Sequence, residues 1–202
     1  MTLAQIAARL AEAQGHAVPE AGGARPAAVL VPIYERDGDV HLLYTKRTED
    51  VPHHKGQISF PGGIRRDASE ELHATALRET HEEIGLPADR VRVVGALPPL
   101  VTITDFLVFP FVGIIPYPFS FEPEPREIAE ILHVALRHLQ DPAHMRTSNV
   151  TYRGRPEVLH FYDVPPHVIW GVTGRITASF LERVGESTRR QDPTPPAGGG
   201  EP

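Results

Sequence analysis

Three glutamates fall within the five residues Glu79 to Glu83, in the run Arg78-Glu79-Thr80-His81-Glu82-Glu83-Ile84-Gly85-Leu86. On a helix, at roughly 100° per residue, Glu79 and Glu83 lie within about 40° of each other, on the side of Leu72 and Ala76. The apolar arc continues through Thr80 to Ile84 and Leu77, so both carboxylates stand at its edge. Glu82 falls on another flank with Glu71 and Arg78, and Arg78, one turn back, is its partner. Glu79 and Glu83 have no Lys or Arg one helical turn away in either direction. Two carboxylates at that spacing repel by roughly 0.2–0.5 kcal/mol on an exposed helix. The cost grows where water is partly excluded, unless a cation is supplied. A solvated acidic face is the plain alternative for such a run, but it does not set two of the acids beside apolar residues. A divalent metal supplies the missing cation. Hard carboxylate oxygens with room for water favour magnesium or manganese over zinc.

The acids need a helix with defined ends. Gly85 and then Pro87 terminate it. At the other end Asp67 or Ser69 can cap, and a capping box pairs Asp67 with Glu70, which predicts a helix from about Ala68 to Ile84. Upstream, Phe60-Pro61-Gly62-Gly63 reads as a tight turn. Ala27 to Tyr34 and Val40 to Lys46 are apolar, β-branched runs, and Asp37-Gly38 between them is a hairpin signal. The polar stretch from Lys46 to Gly63 holds Arg47, His53, His54, Lys55 and Gln57. The plain reading is a solvated loop; the functional one is anion contact, which suits a phosphate-bearing substrate.

Beyond the acidic helix, Val91 to Leu97 and Phe106 to Ile115 read as strands separated by Pro98-Pro99. Pro110 restricts the second to an edge or bulged position. After a Pro-rich loop from Pro116 to Pro125, Arg126 to Leu139 reads as a helix with Glu127 in its first turn. Glu127 is there either a partner of the helix dipole or a further acid brought to the metal. Thr151 to Gly154 reads as a turn and Val158 to Tyr162 as a strand. Val168 to Val184 reads as a final helix, with Trp170, Ile176, Phe180 and Leu181 packing into the core; stacking on a substrate is the alternative for Trp170. Thr2 to Ala13 is an amphipathic helix capped by Thr2, followed by a Gly/Pro-rich linker. The chain thus divides into an N-terminal helix and linker (1–25), one domain (26–184) and a disordered tail (185–202) rich in Pro and Gly. Strands among helices in this order fit an α+β fold, an α/β/α sandwich.

Composition narrows the function classes. A chain of 202 residues with 41% hydrophobic residues is large enough for a sizeable core. It has no cysteine, so thiolate zinc sites, disulfides and a cysteine nucleophile are excluded. A net charge of −6 argues against broad, non-specific nucleic-acid binding. Neither a membrane span nor a secretory leader is legible, so a cytoplasmic protein acting on a small molecule is expected, with a homodimer left open.

The residues carry a resemblance. Glu70, seven residues, Arg78-Glu79-Thr80, one residue, Glu82-Glu83, one residue, Gly85-Leu86 resembles the Nudix box. It departs in having six residues rather than five between Gly63 and Glu70, and Thr80 at an apolar position. The resemblance implies a Nudix fold with a mixed sheet over residues 26 to 184, and magnesium- or manganese-dependent hydrolysis of a nucleoside diphosphate linked to another group. It implies Glu79 and Glu83 as principal metal ligands, with Glu82 as auxiliary ligand or base. It also implies that Arg78 holds the carboxylates in place, that Glu70 partners Arg78, and that the Gly63 backbone approaches the metal. Leu42-Leu43-Tyr44-Thr45-Lys46-Arg47 and Lys55-Gly56-Gln57-Ile58-Ser59-Phe60-Pro61-Gly62-Gly63 are similar to the extra signature of the coenzyme A pyrophosphatase branch. The departures are Tyr44 for a Leu, Thr48 for a small residue, and Pro52 for an Arg. Ile169-Trp170-Gly171-Val172-Thr173 also looks like that branch. The implied reaction splits coenzyme A or acyl-coenzyme A into 3′,5′-ADP and the (acyl-)4′-phosphopantetheine, with Arg47, His54, Lys55 and Gln57 contacting substrate. ADP-ribose or a nucleoside triphosphate is the alternative substrate. A non-catalytic binding module of the same fold is the alternative class, and would be expected to lack the ligands that Glu79, Glu82 and Glu83 supply.

Overall fold

The computed structural model describes residues 1–12, 17–20, 22–49, 56–152 and 155–185. Helix α1 (Leu3–Glu12) begins with a reciprocal cap. The Gln5 N–H donates to the Thr2 hydroxyl at 3.3 Å, and the Thr2 N–H donates to the Gln5 side chain at 2.9 Å. Strands β1 (Arg25–Arg36) and β2 (Asp39–Arg47) form the expected hairpin. Asp37 and Gly38 take φ of 52° and 76°, as a two-residue turn matched to strand twist requires. Then follow β3 (Ile58–Ser59), β4 (Gly62–Ile64), α2 (Leu72–Ile84), β5 (Arg92–Ala96), β6 (Leu100–Val101), β7 (Phe106–Ile114) and β8 (Ile128–Ala135). The chain continues through α3 (Leu136–Gln140), β9 (Met145–Tyr152), β10 (Arg155–Val164), β11 (His167–Ile169) and α4 (Gly171–Val184).

The main sheet runs β3-β2-β1-β7-β5, with β4 added on β1, β6 on β7 and β8 on β2. It is mixed: β1 and β7 are parallel and its other pairs antiparallel. Strands β9, β10 and β11 form a second, antiparallel sheet. β1 shows why its sequence is apolar throughout. Ala28 and Leu30 face α2 with Ala76, whereas Ala27, Val31 and Ile33 join the larger core with Ile6, Leu10, Ile176 and Phe180. A strand covered on both faces has no polar side to alternate with. The result is the expected α+β sandwich, α2 on one face and α1 with α4 on the other. Among the described residues no helix is long and apolar enough to cross a membrane.

Five readings of the sequence need correction. Helix α2 starts at Leu72, four residues late, because Asp67 accepts the Ser69 N–H at 2.8 Å in a local turn and caps nothing. Gly62 and Gly63 lie in β4, not in a turn, paired with Val29 and Ala28. Pro110 sits in an interior strand, not at an edge. Its carbonyl accepts from Leu97 at 2.9 Å, so its ring nitrogen faces the gap between β5 and β6, where the ladder on that side is interrupted. Arg126 to Leu139 is mostly the strand β8, because β2 offers an open edge along which Leu132 and Val134 turn inward. The last helix starts at Gly171, since Val168 and Ile169 pair with β10. Trp170 therefore precedes that helix and is not a core residue. Thr151 and Tyr152 of the expected turn end β9, while Arg153 and Gly154, with Pro52, His53, His54, Lys55 and the tail beyond 185, lie outside the described residues.

Candidate active site

Helix α2 carries the acids because its inward stripe is narrow and small. Thr75, Ala76, Thr80, Glu83 and Ile84 are buried, and the Thr80 hydroxyl is satisfied by the Ala76 carbonyl at 2.7 Å. Gly85 closes the helix in the left-handed region, φ 71°, with its N–H on His81. The loop after it is fastened to the helix end: the N–H of Glu124 donates to the Glu83 carbonyl at 2.8 Å, and that of Glu122 to Ile84 at 3.0 Å.

Arg78 is the hub of the cluster. Its Nε donates to Glu70 at 2.7 Å, and its Nη1 to Glu79 at 2.7 Å and Glu82 at 2.9 Å. Glu70, freed from any cap, also accepts from the Arg66 N–H at 2.8 Å and the Thr75 hydroxyl at 2.9 Å. The Arg78 guanidinium, then these donors, hold the Glu70 carboxyl down at about 2. Glu82 lies half exposed and also binds Arg66 at 2.6 Å.

Glu83 is different. Only 4% of it is exposed, and its Oε2 has no hydrogen-bond partner. Burial pushes its carboxyl up to about 8, against the opposing charge of Arg47. Burial also raises Glu79, although Arg78 opposes the shift. The cation missing one helical turn away arrives from β2. Arg47 Nη1 lies 3.8 Å from Glu83, and its Nη2 lies 3.7 Å from Glu127. Glu127 reaches this position in the loop before β8, not on a helix. Its carbonyl accepts the Thr48 N–H at 2.8 Å, and Thr48 Oγ donates to the Arg126 carbonyl at 3.0 Å.

Two observations bear on whether these residues fit a metal. The orphaned Glu83 oxygen is an acceptor with no donor, which a buried site tolerates if the carboxyl keeps a proton or a cation is supplied. Gly63 backs onto the Glu79 carboxylate so closely that a Cβ there would collide with it. No three His, Asp or Glu side chains among the described residues already form a closed cage; Arg78 stands between Glu79 and Glu82. The donors are hard carboxylates on neighbouring turns of α2, and they fit a divalent ion that keeps several waters. Gly63→Ala is accordingly expected to lower kcat about 100-fold by displacing the Glu79 carboxylate. Steady-state kinetics will show this, with the thermal midpoint reporting that the variant stays folded.

Residues 24–151, more than half of the chain, match the NUDIX domain family model. The chain belongs to the Nudix family. Among similar proteins, an uncharacterized Nudix hydrolase NudL of Photorhabdus laumondii is 36% identical over 160 residues, covering 79% of this chain and 85% of that one. The peroxisomal coenzyme A diphosphatase NUDT7 of Mus musculus is 33% identical over 155 residues, covering 74% and 66%. A crystal structure of a MutT/nudix family protein from Enterococcus faecalis shares the fold at TM-score 0.55 and 13% identity, over 91% of this chain and 70% of that one. The protein is a Nudix hydrolase, and Nudix hydrolases generally use divalent metal ions.

In this Nudix hydrolase a cavity of about 640 Å³ opens beside Gly62 and Gly63. Arg47 and Gln57 line it, as do Phe60, Phe106 and Trp170. Gln57 is thus brought to the cavity wall, and its carbonyl holds the Arg47 N–H at 3.0 Å. His54 and Lys55 lie outside the described residues. Tyr44, a departure from the branch signature, is buried: it stacks on Phe60 at 4.5 Å and hydrogen-bonds Thr177 at 3.1 Å. Sequence reasoning missed Arg66 as a partner of Glu82, since a loop brings it there. Of the two readings of Trp170, core packing gives way to a place at the cavity wall.

Proposed function

We propose that this Nudix hydrolase uses Mg²⁺ or Mn²⁺ to cleave the diphosphate of coenzyme A or its acyl esters, releasing 3′,5′-ADP and (acyl-)4′-phosphopantetheine. The observation that carries the reading is Arg47, a residue of the coenzyme A-type signature, standing between Glu83 and Glu127 at the mouth of the cavity. A relative named a coenzyme A diphosphatase supports the same substrate class.

Glu79 and Glu83, with Gly63 behind them, would hold the cation and Glu82 would assist. Once bound, the cation would supply charge to the diphosphate oxygens and make water a better nucleophile at neutral pH. Arg78 fixes the rotamers of Glu79 and Glu82, and Glu70 fixes Arg78. Arg47 is a weakly held guanidinium, at 3.7–3.8 Å from its acids, and can turn to a substrate phosphate when a cation takes over Glu83. Glu82 is tied by two arginines, whereas the described partner of the Glu127 carboxylate is Arg47 alone. Glu127 is the better placed to accept the proton of the attacking water.

A screen of coenzyme A, acetyl-coenzyme A, ADP-ribose, NADH and nucleoside triphosphates with either metal, with products identified by mass spectrometry, tests the reading. Coenzyme A or its ester is expected to show the highest kcat/KM, with 3′,5′-ADP as product. ADP-ribose or a triphosphate turned over at least as well would overturn the substrate assignment and leave the family reaction.

A further inference from the structure

Trp170 has no part in the machinery described so far. It is the single tryptophan of the chain, 49% exposed, and it occupies the N-cap of α4. An indole cannot accept the hydrogen bond that Ser, Thr, Asp or Asn would take at that position, so neither helix capping nor core packing accounts for it. Phe161 lies nearly parallel to the indole, at 11° and 6.5 Å between centroids. The Arg146 guanidinium stands over Phe161 at 4.4 Å. Trp170 borders the 640 Å³ cavity and Phe161 does not, so the indole is the last layer of a guanidinium–phenyl–indole ladder before open space. Its position is set from below: the Thr173 hydroxyl donates to the Ile58 carbonyl at 2.9 Å, holding the start of α4 to β3.

We propose that Trp170 is the stacking platform for the base of the nucleotide, so that the base-bearing arm of the substrate enters this cavity while its diphosphate lies at the acids. This rests on the nucleoside-diphosphate reading above. The indole face is electron-rich and a purine is a flat, electron-poor ring, so the base completes the ladder. Val29, Phe60 and Val108 line the same space and give it apolar walls. A pantetheine arm has no ring to offer. Stacking of this kind is sequence-tolerant and sensitive to truncation.

The lone tryptophan makes the test direct. Intrinsic fluorescence is followed while the full-length protein is titrated with 3′,5′-ADP and, separately, with 4′-phosphopantetheine. Saturable quenching by the first and not by the second is expected. By calorimetry, Trp170→Ala should weaken 3′,5′-ADP binding about 10- to 100-fold, and Trp170→Phe should hold it within about threefold of wild type. Unaltered affinity in the alanine variant, or quenching by 4′-phosphopantetheine alone, would overturn the proposal. Titration of the wild-type protein decides the matter should the alanine variant not fold. Quenching by 3′,5′-ADP in a protein that does not hydrolyse coenzyme A would uphold the platform and sink the substrate assignment instead.

Discussion

Glu83→Gln is expected to lower kcat by about 10³-fold while making the protein without added metal more stable at pH 8. The first effect follows from removing the charge that a cation needs at the most buried of the acids. The second follows from linkage. The Glu83 carboxyl rises from 4.5 to about 8 on folding, so between those values the folded state keeps a proton that the unfolded chain has lost. Stability therefore falls as pH rises through that window, by at most about 1.4 kcal/mol per pH unit. Below it both states are protonated and the penalty disappears. Glutamine keeps the shape and abolishes the titration, and Mg²⁺ or Mn²⁺ should flatten the same slope in the wild type. Urea midpoints at pH 5, 6.5 and 8, with and without metal, together with kcat, check both halves. Full activity in the variant would remove Glu83 from the site.

Arg78→Met should be the most destabilising change in the cluster, at about 3 kcal/mol, the lower end for breaking a buried ion pair. Its side chain is 16% exposed and Glu70 15%, so the loss leaves Glu70 charged with only a backbone N–H and a hydroxyl as donors. Glu79 and Glu82 lose the guanidinium that separates and aims them, and kcat should fall a further 10- to 100-fold at saturating metal. Arg78→Lys should recover part of the stability but little of the rate, because an ammonium cannot reproduce the fork between Nε and Nη1. Chemical denaturation and metal-saturated kinetics on both variants separate the two roles. Equal rates for Lys and Arg would show that charge alone suffices.

The acidic helix was legible because its information is local. Periodicity alone set Glu79 and Glu83 at the edge of the apolar arc, and Gly85 marked the end. The missing cation was legible only as an absence, since Arg47 meets Glu83 across the packing of β2 against the loop behind α2. Even within the helix, spacing rules missed Arg78 on Glu79, a contact between chain neighbours made by a long side chain folding back. β8 was misread because its pattern is too irregular to declare a period, and the free edge of β2 decides its conformation. Trp170 was misread because a large apolar residue one step before a helix looks like part of it.

The parallel pairing of β1 with β7 joins Arg25–Ile33 to Phe106–Ile114, segments roughly 80 residues apart, and closing so long a loop is entropically slow. During synthesis the acidic helix and the strands beneath it, β1 and β4, therefore leave the ribosome well before β7 arrives to pair with β1. Until β7 docks, the sheet that sets Glu79 against Gly63 and Glu83 near Arg47 lacks its parallel pair. The site is then completed late in the birth of this enzyme, and a nascent chain stalled short of Ile114 would carry the whole signature of a hydrolase without Glu127 or the Trp170 wall of the cavity.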